Sequence, residues 1–251
     1  MFVVAGDYSQ QPYFIPGLDR LSPGTFDSQV AYWEEKYLRV LLGNLFYDAL
    51  ASGYNSISSI PVYDPTNAYQ IGDQAIYVSA NNADIYTCIQ GCTGSQPDIN
   101  PTYWTKQPVN RWVRFIYGDT YLYYNRPQKW YGMKRIVRPL IYYLWVRYNY
   151  DSPGVAGNAQ QNTENATVIS FAKRLKDAWN EYAELAAGDW PNVFDDATQL
   201  WPELENSLYG YLFLTDSTWA DLVVPYTGFA SFRAYLAYSF VYPGKSNVFG
   251  I

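Results

Sequence analysis

Apolar side chains recur at three- and four-residue spacing over residues 30–50, the pattern of a helix with one buried stripe. Val30, Trp33, Tyr37, Leu38, Leu41 and Leu42 form the stripe. Gly43 interrupts it, Leu45, Phe46, Ala49 and Leu50 continue it, and Gly53 is a natural stop. The spacing predicts a helix capped at Asp27 or Ser28, a bend near Gly43, and a second, short helix. Upstream, Pro12, Pro16 and Pro23 with Gly17 and Gly24 make residues 1–25 an extended arm or loop.

The period then changes. Residues 62–106 form a cassette with strand-like runs at 74–78 and 85–89, a Gly72-Asp73 turn and a polar loop at 79–84. On the second run Tyr86 and Cys88 share one face; Ile85, Thr87 and Ile89 share the other. Pro97 and Pro101 force an extended return to Tyr103 and Trp104. So short a segment buries little area. Its core must be aromatic, and it is expected to lean on its host.

Helical periodicity resumes at residues 133–150, where Pro139 either kinks the helix or marks its first turn. The stretch before it, 107–132, fits a strand pair or irregular tyrosine-rich packing. Residues 152–163 read as an exposed polar loop. An amphipathic helix follows at 168–187, with Phe171, Leu175, Ala178, Trp179, Tyr182 and Leu185 as its stripe and Gly188 as its end. A further helix is expected at 195–211, across Pro202, then a loop at 212–227. A last helix at 229–242 is stopped by Pro243-Gly244. Beyond it, Val248, Phe249 and Ile251 make an apolar tail suited to docking on a neighbour in an assembly. The chain therefore reads as mainly α with a small all-β insertion: a helical domain at 1–61 and 107–251, interrupted by the module at 62–106.

Composition narrows the functions. Aromatic residues are 19% of the chain, with 27 tyrosines, more phenols than one core can supply with hydrogen-bond partners. That excess points to subunit interfaces. Net charge is −6 with no basic stripe, which argues against sequence-specific nucleic-acid binding. The local cluster Lys129, Lys134, Arg135 and Arg138 reads as a solvated helix face. There is no histidine, so the commonest general base and metal ligand are missing. Cys88 and Cys92 are too few for a zinc site; they can form one local disulfide, and sparse cysteine fits a reducing compartment. No apolar run approaches the roughly 20 residues that span a bilayer, and the first residues lack the basic region of a signal peptide. The chain is expected to be soluble and made in a cytoplasm.

Acidic pairs occur at Glu34-Glu35, Asp195-Asp196 and Glu203 with Glu205. Such pairs in helical context read as solvated faces, not as two catalytic carboxylates across a cleft. The expectation is a protein that is not an enzyme and holds no cofactor or metal. The candidate contacts are the cassette's rings, Tyr69, Tyr77, Tyr86, Tyr103 and Trp104. They are either flat platforms for a sugar or partner, or the module's own core.

Two stretches resemble known families. Tyr69, Gly72-Asp73, Tyr77, Tyr86, Pro97 and Tyr103-Trp104 follow the order found in small chitin-binding-type β modules. Such modules are commonly inserted into bacteriophage virion proteins. Their usual binding surface carries several tryptophans, and this cassette has only Trp104. The flanking helical part is similar to head–tail connector (adaptor, or ring) proteins of tailed phages, of the crAss-like and Bacteroidetes podovirus type. The resembling stretches are YWEEKYLRVLLGNLFYDAL, KWYGMKRIVRPLIYYLWVRYNYDSPGVAGNAQQNTENA and KDAWNEY. The resemblance implies an antiparallel helical bundle in a twelve-fold homo-oligomeric ring beneath the portal protein, joining it to other tail proteins, with DNA passing through the ring. It implies a virion component at the head–tail junction, assembled in a host bacterium's cytoplasm. The alternative is a carbohydrate-binding surface or receptor-binding protein.

Overall fold

A computed structural model describes residues 2–15, 18, 21, 22, 24–80, 82–123, 126–150, 171–188, 207–241 and 243. Among them the chain is mainly helical with small antiparallel sheets. Helix α1 is Thr25–Leu42, and it begins at Gly24 in the left-handed region, earlier than the side-chain caps expected at Asp27 or Ser28. Its buried residues include Val30, Trp33, Leu38, Leu41 and Leu42, the stripe read from the sequence. Gly43 ends it with φ 77° and ψ 153°, a conformation open essentially to glycine alone, and α2 (Asn44–Ile57) starts at once. Here one expectation fails: α2 runs through Gly53 without stopping. Gly53 is there for close packing, because an added Cβ would lie 2.3 Å from the Trp112 indole.

The cassette contains β1 (Ala68–Tyr69), β2 (Gln74–Val78), β3 (Ala83–Cys88), β4 (Cys92–Thr93) and β5 (Trp104–Lys106). The β2–β3–β5 sheet is antiparallel, with Ile76 opposite Ile85 and Cys88 opposite Trp104; β1 pairs with β4. The alternation of β3 has its expected consequence. Tyr86 and Cys88 join Tyr69, Ala75 and Trp104 in a small core belonging to the cassette. Ile76, Ala83 and Ile85 belong instead to the main core of the helical part. The sheet thus separates two cores.

The stretch left open at 107–132 holds a helix, α3 (Arg111–Tyr117), followed by a hairpin of β6 (Asp119–Tyr123) and β7 (Arg126–Trp130). The Asn110 side chain caps α3 by accepting from the Trp112 and Val113 amides. Helix α4 (Met133–Tyr150) carries Pro139 inside it, and residues 139–146 are all buried. A helix buried on every side over two turns is a central one. It packs against α5 (Phe171–Ala187), whose Ala178, Tyr182 and Ala186 lie in the main core.

The expected loop at 212–227 is largely helical, a correction. Helix α6 is Leu208–Leu214, capped by Ser207, and α7 is Asp216–Thr227. Only Trp219 and Val223 of α7 are fully buried, too sparse a pattern to announce a helix, and Pro225 falls inside it. Helix α8 (Phe232–Ser239), capped by Ser231, ends before the expected 242. The loop at 152–163 and most of the expected helix at 195–211 lie outside the described residues. Among the described residues no helix is long and apolar enough to cross a membrane.

The N-terminal segment departs most from its expectation of an arm. Val3, Tyr8, Tyr13 and Ile15 are buried in the chain's own main core. Proline and glycine stop it from forming a long element, yet its apolar residues still find the core.

Candidate functional site

Buried carboxylates show how this fold spends its polar groups. Glu34, expected on a solvated face with Glu35, is only 2% exposed. It accepts the Phe2 amide with both oxygens at 2.9 Å and the Val3 amide at 3.1 Å, and so pins the N-terminal segment to α1. Burial raises its pKa above the ordinary glutamate value, against the lowering effect of these hydrogen bonds. Glu35, by contrast, lies outside the core and pairs with Arg39 at 2.9 Å.

The basic cluster is corrected in the same way. Lys134 Nζ meets Asp7 at 2.6 Å, and Arg138 Nη2 donates to the Asp7 carbonyl at 2.7 Å. Tyr8 donates to the Arg138 carbonyl at 3.3 Å. Arg135 and Lys129 lie over the Tyr131 ring, at 4.3 and 5.0 Å from its centroid. Half of the supposed wet face therefore holds the N-terminal segment.

A second polar group joins the cassette to its host. Arg114 of α3 reaches Asp84 of β3 at 3.1 Å and Asp119 of β6 at 3.4 Å. Lys106 of β5 meets the other Asp84 oxygen at 2.5 Å, and Tyr211 of α6 donates to Asp119 at 2.9 Å. Burial raises the Asp119 pKa, opposed by the Tyr211 hydrogen bond and the Arg114 charge. It also raises Tyr211 well above the ordinary phenol value, reinforced by the charge of Asp119. Backbone bonds add to the join: the Ala83 amide donates to the Gly118 carbonyl at 3.0 Å, and the Thr120 amide to Asn82 Oδ1 at 2.9 Å. Asp84 sits in the run read as a polar loop, and nothing in its neighbours announces burial.

The cassette's rings occupy its interior. Trp104 is 2% exposed, Tyr69 5% and Tyr86 8%. Tyr69 meets Trp104 edge to face at 5.0 Å and stacks on Tyr63 at 5.5 Å, while Tyr77 meets Tyr86 at 6.3 Å. Trp104 Nε1 donates to the Ser95 carbonyl at 2.7 Å, and the Tyr69 hydroxyl accepts the Asp64 amide at 2.8 Å. Of the two readings left open by the sequence, Tyr69, Tyr86 and Trp104 take that of the module's own core, packed against one another. Tyr77 is half-buried beside them. The large apolar side chains that the cassette exposes are aliphatic: Val62, Ile71, Val78, Ile89 and Ile99.

A polar groove of about 590 Å³ opens where the cassette meets the end of α2. Ser59 and Pro61 line it together with Asn67, Tyr69, Asp73 and Gln74. Comparison of the chain with protein-family profiles, curated proteins and solved structures finds no match. The sequence-derived assembly residues Val248, Phe249 and Ile251 lie outside the described residues.

Proposed function

We propose that this chain is a structural virion protein, a head–tail connector of a tailed phage. In this reading its helices are the antiparallel bundle of an adaptor subunit, and copies close into a ring, twelve-fold by the resemblance, that docks on the portal and carries the tail. The observation that carries the reading is the surface of the helical part. Tyr226 is 75% exposed and Tyr238 80%, with Tyr32, Val40 and Val241 also exposed. Large apolar side chains left on a surface are the material of subunit contacts. The buried carboxylates fit the same reading, being engaged in holding segments together. The test is electron microscopy of the purified protein, alone and mixed with the portal of its phage. Rings support the proposal; a monomer that ignores the portal and is absent from virions refutes it. Removing residues 246–251 is expected to block incorporation into virions while leaving the thermal midpoint nearly unchanged.

The polar groove favours one alternative, a carbohydrate-binding surface or receptor-binding protein. Asn67, Asp73 and Gln74 offer the amide and carboxylate groups that hydrogen-bond sugar hydroxyls. A glycan array separates the two readings, because this alternative requires binding that Asp73→Ala abolishes.

A further inference from the structure

The two cysteines of the chain, Cys88 and Cys92, are free thiols in the same small core. Cys88 is buried on β3 opposite Trp104, and Cys92 is half-buried on β4 opposite Tyr69. They therefore belong to the two different sheets of the cassette. Both pack in the cassette's small core, and Cys88 donates its S–H to the Gln90 carbonyl at 3.1 Å. A turn of only Ile89, Gln90 and Gly91 separates them in sequence. This exceeds a lone reactive thiol: a second sulfur in the same small core can resolve an adduct formed on the first.

We propose that Cys88 and Cys92 form a reversible disulfide within the folded protein, a covalent staple between the cassette's two sheets. Cys92, the more accessible, is the attacking thiol. Its thiolate attacks one sulfur of a small-molecule disulfide such as oxidised glutathione and expels one glutathione thiolate. The Cys88 thiol then loses its proton and attacks the Cys92 sulfur of the mixed disulfide, expelling the second glutathione. Two protein thiols are oxidised, one small disulfide is reduced to two thiols, and protons balance overall. Burial raises the Cys88 pKa, so the resolving step accelerates at alkaline pH. In a reducing compartment the staple is open; in an oxidising one it closes. The inference rests on the thiol pair alone and holds whether or not the chain is a connector.

The full-length protein should be equilibrated in glutathione buffers from fully reduced to fully oxidised, quenched in acid, alkylated and mapped by peptide mass spectrometry. Circular dichroism on the same samples establishes that the protein stays folded. The expected result is a Cys88–Cys92 cross-linked peptide, formed in the folded state and lost on adding dithiothreitol. Cys92→Ser should abolish it. Should that variant not fold, the titration of the unaltered protein still decides. Thiols that oxidise only after unfolding, a stable glutathione adduct on Cys92, or disulfide-linked dimers would each overturn the proposal.

Discussion

The Tyr235 hydroxyl sits where a side chain at Gly43 would have to go: an added Cβ would lie 2.5 Å from it. The same hydroxyl donates to the Leu42 carbonyl at 3.1 Å and accepts the Phe46 amide at 3.3 Å. A group on α8 thus satisfies backbone left open where α1 gives way to α2. Gly43→Ala combines backbone strain with a steric clash and is expected to destabilise by about 2–4 kcal/mol. Tyr235→Phe removes only the hydrogen bonds and should cost about 1–3 kcal/mol. Urea denaturation of both variants checks the ranking, and a Gly43→Ala protein as stable as the parent would refute it.

Asp84 is the hub between cassette and host. Asp84→Ala leaves Arg114 with only Asp119 as a carboxylate partner, and is expected to cost about 1.5–3 kcal/mol. Removing Arg114 as well should recover part of that loss. A double-mutant cycle by chemical denaturation measures the coupling, and simple additivity would mean that the two residues do not act as a pair.

The cassette's strand pattern suggests a module that can be cut out freely, but the shared core argues otherwise. Replacing residues 62–106 with a Gly/Ser linker removes Ile76, Ala83 and Ile85 from the main core. Burial of a large aliphatic side chain is worth about 1.5–3 kcal/mol, so the two isoleucines alone predict a clear fall in thermal midpoint. A midpoint equal to that of the intact chain would show that the host core closes without them.

Glu34 gives a pH test. Burial raises its pKa in the folded protein, so the folded state holds the proton more tightly than the unfolded chain. Its stabilising contribution is complete below the ordinary glutamate value and is lost as pH rises through the raised value. Glu34→Gln does not titrate there. The thermal midpoint of the unaltered protein minus that of Glu34→Gln should therefore increase as pH falls from about 7 to about 4.5. Asp119, also raised by burial, is present in both proteins and largely cancels. A difference that is flat or falls toward acid would exclude this role for Glu34.

Long stripes were legible in the sequence. The residues that place α1, α2, α4 and α5 are apolar at helical spacing, and the alternation of β3 separates its two faces correctly. Short helices were not. Helix α3 has seven residues, about two turns, and α7, though twelve residues long, buries fully only Trp219 and Val223, so neither shows a period that stands out. Glu34 and Asp84 were hidden for another reason. A carboxylate looks the same in sequence whether water or a backbone amide satisfies it, and only the fold brings Phe2 to one and Arg114 to the other. The rings of the cassette were visible, but whether a ring faces outward or inward depends on partners such as Tyr63, which pairing alone reveals.

The β2–β3–β5 sheet limits how this cassette can be transplanted. Its Tyr86 and Cys88 face travels with the module, since the residues it meets are the module's own. The Ile76, Ala83 and Ile85 face does not, because it is shaped to this particular host. Grafted into a loop of another protein, the cassette would present a greasy underside with nothing beneath it. A recipient must either offer a matching hollow or have those three positions rewritten as polar. Modules of this kind that move between proteins should therefore vary most on the side they turn toward each new home.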